Sequence, residues 1–326
     1  MRDAESHARL VASLQDELVA DDLDPPTESA AWNEDKLRAW FEAGGNHPTA
    51  RLTTENVLID RRSQAFAKAS ENDQYLRFET QRTFQGKAEL PPLKGKLTSC
   101  TTGASAPFGL VFACPHPRFL GTTLETMDSP LPAAIAAACE AAGIPLLRYD
   151  HPGVGGSGGS DEITRSESTV KANPYIESMA VDCALAVAYM MRHGNCDQIF
   201  IGGASMGWSA AMGALRCAVD ASCTGAGFIS VATSAKMPKF FKMMMPAAAA
   251  EETIKVFYSN HSLMGDRPKL LINGASDPMM KDPTDLEALM PYLHAPTLKL
   301  VEGADHLFTG KEAQVAELVV DFIRSA

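Results

Sequence analysis

The stretch QIFIGGASMG, residues 198–207, joins a buried-strand pattern to a turn that leads directly into a helical segment. Its first half is apolar, and its second half contains Gly203, Ser205 and Gly207, which form a G-x-S-x-G motif. A serine on such a turn is held in a strained backbone conformation, and small residues two positions away let strand and helix approach closely. The motif indicates a nucleophilic Ser205. The alternative is a glycine-rich turn with an incidental serine.

Short apolar runs alternate with helical segments on both sides of this stretch. Strands are predicted at 109–113, 144–149, 198–202, 227–231, 269–273 and 297–301, and helices at 131–142, 176–192, 209–219, 286–293 and 311–324. This alternation predicts an α/β fold, with a mostly parallel central sheet and helices on both of its faces.

The part of the chain before residue 109 has a different pattern. Residues 75–85 and 94–102 are predicted hairpin strands, separated by Pro91-Pro92. Residues 1–75 are predicted to form an acidic helical extension, in which Thr54 caps a third helix through Val57, Leu58 and Phe66. The predicted domains are therefore an extension over 1–75 and a catalytic domain over 76–326.

The charge of the chain is concentrated near its start. The net charge is −11, and residues 1–50, with 11 acidic and 4 basic side chains, carry −7 of it. This balance argues against a nucleic-acid partner. No signal-peptide pattern and no run of 18 apolar residues occurs, and the seven cysteines lack metal-site spacing. We expect a cytoplasmic protein without a membrane span. We expect the extension to wrap the body or to mediate self-association, and not to be catalytic.

A serine hydroxyl needs a base, and the base needs an orienting acid. Of the eight histidines, His306 is best placed, because it follows the last predicted strand and precedes the final helix. Asp277 follows the strand before that one and is the candidate acid. Asp282 is the runner-up, and Asp305 adjoins His306 too closely along the chain to reach the correct imidazole nitrogen. The alternative interpretation of Asp277 is a structural aspartate that stabilises a turn or caps a helix.

The order Ser205, Asp277, His306, each just beyond a strand, resembles that of the α/β-hydrolase fold over residues 76–326. The resemblance implies that the segment CPHPRF, residues 114–119, forms the oxyanion loop. The oxyanion would then be bound by the backbone N–H groups of Met206 and Arg118, with Phe119 as an alternative to Arg118. It also implies that DHPGVGGS, residues 150–157, is the fold's D-x-x-G-x-G-x-S turn.

Two further segments leave alternatives open. Gly153, Gly155 and Gly158 also satisfy the dinucleotide-binding pattern G-x-G-x-x-G, but the segment that follows them is polar, which favours a tight turn beside the active site. Residues 232–268 form an insertion at a position that in this fold often holds a lid. Its apolar side chains either line a substrate pocket or pack against the body. The candidate pocket residues are His116, Phe119, Met237, Phe240, Phe241 and Met244.

The resulting hypothesis is a serine hydrolase that cleaves a carboxylic ester or thioester, with an apolar part, through an acyl-enzyme on Ser205. Neither a metal ion nor an organic cofactor is expected. The alternatives are an acyltransferase that uses the same residues, and a ligand-binding protein of the same fold that senses without turnover, since fold does not fix function.

Overall fold

The structure is a computed structural model of the 326-residue chain. It describes residues 52–59, 92–100, 105–114, 126–151, 154–155, 157, 172–215, 225–233, 235–244, 247–278 and 283–326. The helices predicted before residue 46 and the strand predicted at 75–85 lie outside these ranges.

Eight strands make up the sheet within the described residues. They are β1 (Leu52–Ile59), β2 (Leu93–Cys100), β3 (Ala106–Ala113), β4 (Leu146–Tyr149), β5 (Cys196–Ala204), β6 (Gly227–Val231), β7 (Lys269–Gly274) and β8 (Thr297–Val301). Their order is β1-β2-β4-β3-β5-β6-β7-β8. The pairs β1–β2 and β2–β4 are antiparallel, and all other pairs are parallel.

The inner parallel strands form because their apolar residues are covered on both faces, as is typical of parallel sheets. Residues 199–204 of β5 and all residues of β6 and β7 are buried. The carboxyl ends of these strands meet at one edge of the sheet, where Phe112 of β3 lies beside Gly202 of β5 and Ala204 of β5 lies beside Val231 of β6.

Helices pack on both faces of the sheet. They are α1 (Pro130–Ala141), α2 (Ala172–His193), α3 (Met206–Ala214), α4 (Met237–Met244), α5 (Ala247–Ser262), α6 (Pro283–Leu289), which continues as a 3-10 turn (Met290–Tyr292), and α7 (Glu312–Ser325). Buried residues of α1 and α7 form one apolar core, and those of α2, α3, α4, α5 and α6 form the other. The prediction of a mostly parallel sheet between two helical layers is therefore confirmed.

The predicted helix capped by Thr54 is wrong, because residues 52–59 form the strand β1 at the sheet edge. Its burial alternates at its end: Val57 and Ile59 are buried, whereas Leu58 is 65% exposed. This two-residue period is the strand period. Apart from β1, the helical extension over residues 1–75 stays a prediction, as does the boundary between the two predicted domains.

Within the described part of the chain, every helix is too short or too polar to span a bilayer.

Candidate active site

Ser205 lies on the turn between β5 and α3, at the carboxyl edge of the sheet. Its backbone has φ 53° and ψ −115°, a conformation that L-residues with a Cβ adopt only under strain. Two hydrogen bonds hold it there: the Ser205 N–H donates to the Val231 carbonyl at 2.9 Å, and the Trp208 N–H donates to the Ser205 carbonyl at 3.1 Å. The sharp turn holds the Ser205 hydroxyl beyond the strand ends.

The two motif glycines are required by close backbone contacts. A Cβ at Gly203 would lie 2.3 Å from the Gly207 carbonyl carbon, across the turn. A Cβ at Gly207 would lie 2.1 Å from the carbonyl oxygen of Ala113, at the end of β3. Neither contact leaves room for a side chain. The G-x-S-x-G spacing therefore has a steric cause at both glycines.

Ser205, His306 and Asp277 form one chain of hydrogen bonds. His306 Nε2 lies 3.0 Å from Ser205 Oγ, and His306 Nδ1 lies 2.8 Å from Asp277 Oδ2. A carboxylate only accepts, so Nδ1 carries the proton, and Nε2 accepts from the serine hydroxyl. The Asp277 side chain is fully buried, whereas that of His306 is 16% exposed. The structure thus brings together the three residues singled out from the sequence, with the imidazole in the tautomer that a general base requires.

The loops that carry Asp277 and His306 are bonded to each other. The N–H groups of Ala275 and Ser276 donate to the carbonyls of Val301 and Ala304, each at 2.9 Å. A Cβ at Gly274 would lie 2.4 Å from the Ala304 carbonyl oxygen, so the two loops touch through their backbones. These contacts fix the acid relative to the base.

Asp305 has a different task from Asp277. Its Oδ1 accepts hydrogen bonds from the N–H groups of Leu307, at 3.0 Å, and Thr309, at 2.9 Å. Partial burial works to raise the pKa of Asp305, but these donors outweigh it, and the pKa lies below its usual value. Asp305 therefore shapes the histidine loop. Asp282, the other alternative acid, lies outside the described residues.

The backbone N–H of Met206 begins α3 directly beside Ser205. The first N–H groups of a helix have no acceptor within the helix, and the helix dipole favours negative charge there. The other proposed oxyanion donor, Arg118, lies outside the described residues, as do His116 and Phe119.

A small pocket of about 120 Å³ lies against Ser205 and His306. Its apolar wall consists of Pro130 and Leu131 at the start of α1, Ala204, Ala232 and Leu307, and its polar residues are Thr309 and Glu312. Of the predicted pocket residues, Met237 and Phe241 are buried in the core shared with α3, and are absent from the described lining. The side chains of Phe240 and Met244 are not described.

The turn after β4 is built around Asp150. Asp150 Oδ1 accepts from the Met127 N–H at 2.7 Å, and the Asp150 carbonyl accepts from the Ser157 hydroxyl at 2.8 Å. Gly155 has φ 53°, and a Cβ there would lie 2.1 Å from Asp150 Oδ2. The described glycine of this segment therefore serves a tight turn that packs on a carboxylate.

Two buried histidines were given no role from the sequence. His151 Nε2 lies 2.8 Å from the Cys114 carbonyl, and Trp208 Nε1 donates to His261 Nε2 at 3.1 Å. Burial lowers the pKa of each histidine from 6.5 to about 4. A signal for His261 exists, since it follows the buried Phe257 by one helical turn.

Neither the protein-family models nor the curated proteins contain a match to this chain. Solved structures do match it. A dienelactone hydrolase from Anabaena variabilis is 17% identical, with a TM-score of 0.53, over 83% of this chain and 97% of that one. XC6422 from Xanthomonas campestris, described as an α/β serine hydrolase without a lid, is 18% identical, with a TM-score of 0.51, over 83% and 94%.

Est1E from Butyrivibrio proteoclasticus is 14% identical, with a TM-score of 0.52, over 72% of this chain and 93% of its own. Identities this low establish the fold and leave the activity to be argued from the site. The strand order, the turn at Ser205 and these likenesses agree, and the chain has the fold of the α/β-hydrolase superfamily.

Proposed function

We propose that this protein is a serine hydrolase that cleaves a carboxylic ester or thioester through an acyl-enzyme on Ser205. The observation that carries this proposal is the continuous hydrogen-bond chain from Ser205 Oγ through His306 to the buried Asp277. A solvent-reachable hydroxyl, a neutral imidazole in the right tautomer and a buried carboxylate are the parts that acyl transfer needs.

In the first half-reaction, Ser205 Oγ attacks the carbonyl carbon of the substrate while its proton passes to His306 Nε2. The Asp277 carboxylate stabilises the imidazolium that forms. The negative charge on the carbonyl oxygen is bound by the Met206 N–H, and by a second donor that we place at Arg118. One such donor contributes roughly 2.7–4 kcal/mol to lowering the barrier. The bond to the leaving oxygen or sulfur then breaks, and His306 returns the proton to the leaving group.

In the second half-reaction, water attacks the acyl-enzyme. His306 Nε2 takes a proton from the water, and the tetrahedral intermediate collapses with cleavage of the bond to Ser205 Oγ. His306 returns the proton to Ser205, which releases a carboxylic acid and restores the starting state. The nucleophile, the base and the acid used in both steps come from the three loops described above.

The pocket favours a short apolar group beside the scissile carbonyl. Its volume of about 120 Å³ is well below the ~300–1,000 Å³ of most small-molecule sites. Its wall of proline, leucine and alanine side chains offers apolar contact, and Glu312 disfavours an anionic group at the pocket. We therefore expect short neutral acyl groups to be preferred over long or anionic ones.

The test is a series of p-nitrophenyl esters and matched thioesters of increasing acyl length, assayed with the wild type and Ser205→Ala. We expect wild-type turnover to be highest for the short chains, and Ser205→Ala to lose at least about a thousandfold in kcat. Equal rates for the two proteins would overturn the proposal. Acyl products formed on an added alcohol or thiol in place of free acid would indicate an acyltransferase, and ligand binding without product would indicate a sensor.

A further inference from the structure

His151 is a buried side chain beside the candidate site to which the proposed mechanism gives no task. It directly follows Asp150, and only 1% of its surface is exposed. Its Nε2 lies 2.8 Å from the carbonyl oxygen of Cys114, the residue after β3. A carbonyl only accepts, so Nε2 carries the proton and His151 donates. The ring also packs edge-on against Tyr149, with ring centroids 5.4 Å apart.

The carbonyl that His151 binds touches the turn that carries the nucleophile. A Cβ built on Gly207 would lie 2.7 Å from the Cys114 carbonyl oxygen and 2.1 Å from that of Ala113. The backbone of Gly207 therefore rests directly on the end of β3. Gly207 follows Met206, whose N–H is the proposed oxyanion donor. A shift of the Cys114 carbonyl would therefore displace the backbone of Gly207, the residue next to that donor.

His151 itself is anchored from two other elements. The neighbouring Asp150 accepts a hydrogen bond from the Met127 N–H, just before α1, at 2.7 Å. The Asp150 N–H donates to the Lys94 carbonyl of β2 at 2.9 Å, and the Ser157 hydroxyl joins Asp150 to the Lys94 N–H through two bonds of 2.8 Å. Because residue 150 is held in this way, the imidazole next to it can fix the Cys114 carbonyl in place.

We propose that His151 is a positioning residue for the oxyanion site. Its Nε2–H holds the Cys114 carbonyl against Gly207, and thereby fixes the first turn of α3 and the direction of the Met206 N–H. This inference rests on the proposed function, since it matters only where an oxyanion forms at Ser205. Its signature is a loss of transition-state stabilisation with little change in substrate binding, because small displacements of a catalytic group cost rate rather than affinity.

The test compares three substitutions of His151 in the full chain. His151→Gln places an amide N–H close to the position of Nε2, whereas the amide of His151→Asn is one methylene shorter and stops short of Cys114. His151→Leu keeps the bulk of the side chain and removes the donor. The control is Lys269→Met, which removes the donor of another buried side chain that binds a backbone carbonyl, that of Arg267 at 2.6 Å, at the start of β7 and away from the candidate site.

The measurements are kcat and KM on a short p-nitrophenyl ester, and the inhibition constant of an alkyl boronic acid, whose tetrahedral adduct mimics the oxyanion state. We expect His151→Leu and His151→Asn to lower kcat roughly 10- to 100-fold and to weaken boronic acid binding in proportion, with KM within about threefold. His151→Gln should stay within about fivefold of the wild type, and so should the Lys269→Met control. If His151→Leu does not fold, the Asn–Gln pair decides.

Three results would overturn the inference. In the first, Asn and Gln at position 151 have equal kcat and equal boronic acid affinity. In the second, Lys269→Met loses as much of both quantities as His151→Leu, which would mean that the loss of any buried donor has this effect. In the third, the wild type and Ser205→Ala hydrolyse the ester at the same rate, which overturns the proposed function and the inference with it. The first two results leave the proposed function intact and overturn only the role of His151.

Discussion

The backbone of Ser205 stores strain at the residue expected to react. At φ 53° and ψ −115°, a residue with a Cβ is held at a cost of about 1–3 kcal/mol. Glycine adopts this conformation without that cost, although it loses more entropy on folding, by roughly 0.5–1 kcal/mol. This strained turn places the Ser205 hydroxyl within hydrogen-bond distance of His306.

We predict that Ser205→Gly is more stable than Ser205→Ala by about 1 kcal/mol, although both lack the hydroxyl. Glycine relieves the strained backbone, whereas alanine retains it. The measurement is the midpoint of urea unfolding for the two variants. An alanine variant as stable as the glycine variant would show that the turn is not strained in solution.

Asp277 and Asp305 have different roles: Asp277 orients the imidazole of His306, whereas Asp305 stabilises the loop that carries it. We predict that Asp277→Asn lowers kcat by ~10³–10⁴-fold, because an amide no longer enforces the imidazole tautomer or stabilises the imidazolium. Asp305→Asn weakens the hydrogen bonds that Asp305 accepts from the N–H groups of Leu307 and Thr309, and should lower kcat less than about tenfold. The measurement is steady-state kinetics at pH 7.5. Equal losses in the two variants would contradict the assignment of the acid.

At the scale of elements, α3 is packed directly on the end of β3. We predict that Gly207→Ala lowers the free energy of unfolding by roughly 1–3 kcal/mol or more, because its Cβ would lie 2.1 Å from the Ala113 carbonyl oxygen. The control is Gly303→Ala, where φ is 68° but a Cβ would meet nothing within 4 Å. Urea midpoints check this. A control at least as destabilised as Gly207→Ala would contradict the steric account of the motif.

The helix α5 is bonded to α3 through a neutral histidine. His261 Nδ1 donates to the Phe257 carbonyl and Nε2 accepts from Trp208, so a second proton on the ring would break the contact with Trp208. This contact, together with the buried Met237 and Phe241, shows that α4 and α5 pack on the body of the protein. The assignment of residues 232–268 as a lid stays a prediction.

Stability should fall on acidification between about pH 6.5 and pH 4. Burial lowers the pKa of His151 and His261 from 6.5 to about 4, so within this window the unfolded chain binds more protons than the folded one. Each histidine would contribute at most roughly 3 kcal/mol to this loss. We predict that His261→Gln shows a smaller fall in urea midpoint from pH 7.5 to pH 5 than the wild type. An equal fall would contradict the buried neutral state of His261.

For the whole molecule, the parallel part of the fold was predictable because its inner strands, such as β6 and β7, are apolar runs covered on both faces. Gly227–Val231 and Thr297–Val301 have the bounds predicted from the sequence. The strand β1 was missed because its alternation covers only Val57 and Ile59, and the exposed Leu58 between them imitates a helical pattern. The grouping of Ser205, Asp277 and His306 could be predicted because each follows a parallel strand, and the carboxyl ends of these strands lie at the same edge of the sheet.

The pocket and the hydrogen-bond partners of the buried histidines were not predictable from spacing. The pocket joins the start of α1 to the start of α7, which are far apart in the chain and meet only in the folded sheet. His261 depends on Trp208, 53 residues earlier, and no local pattern couples them. The role of the extension over residues 1–75, which is either to wrap the body or to mediate self-association, stays a prediction.

The most direct test of the central claim is covalent labelling of the full-length protein with a fluorophosphonate, followed by mass spectrometry of the intact chain and of its peptides. The account predicts one adduct, mapped to Ser205, with labelling lost in Ser205→Ala and strongly slowed in His306→Ala. An adduct on another residue, or equal labelling of the wild type and Ser205→Ala, would contradict the account.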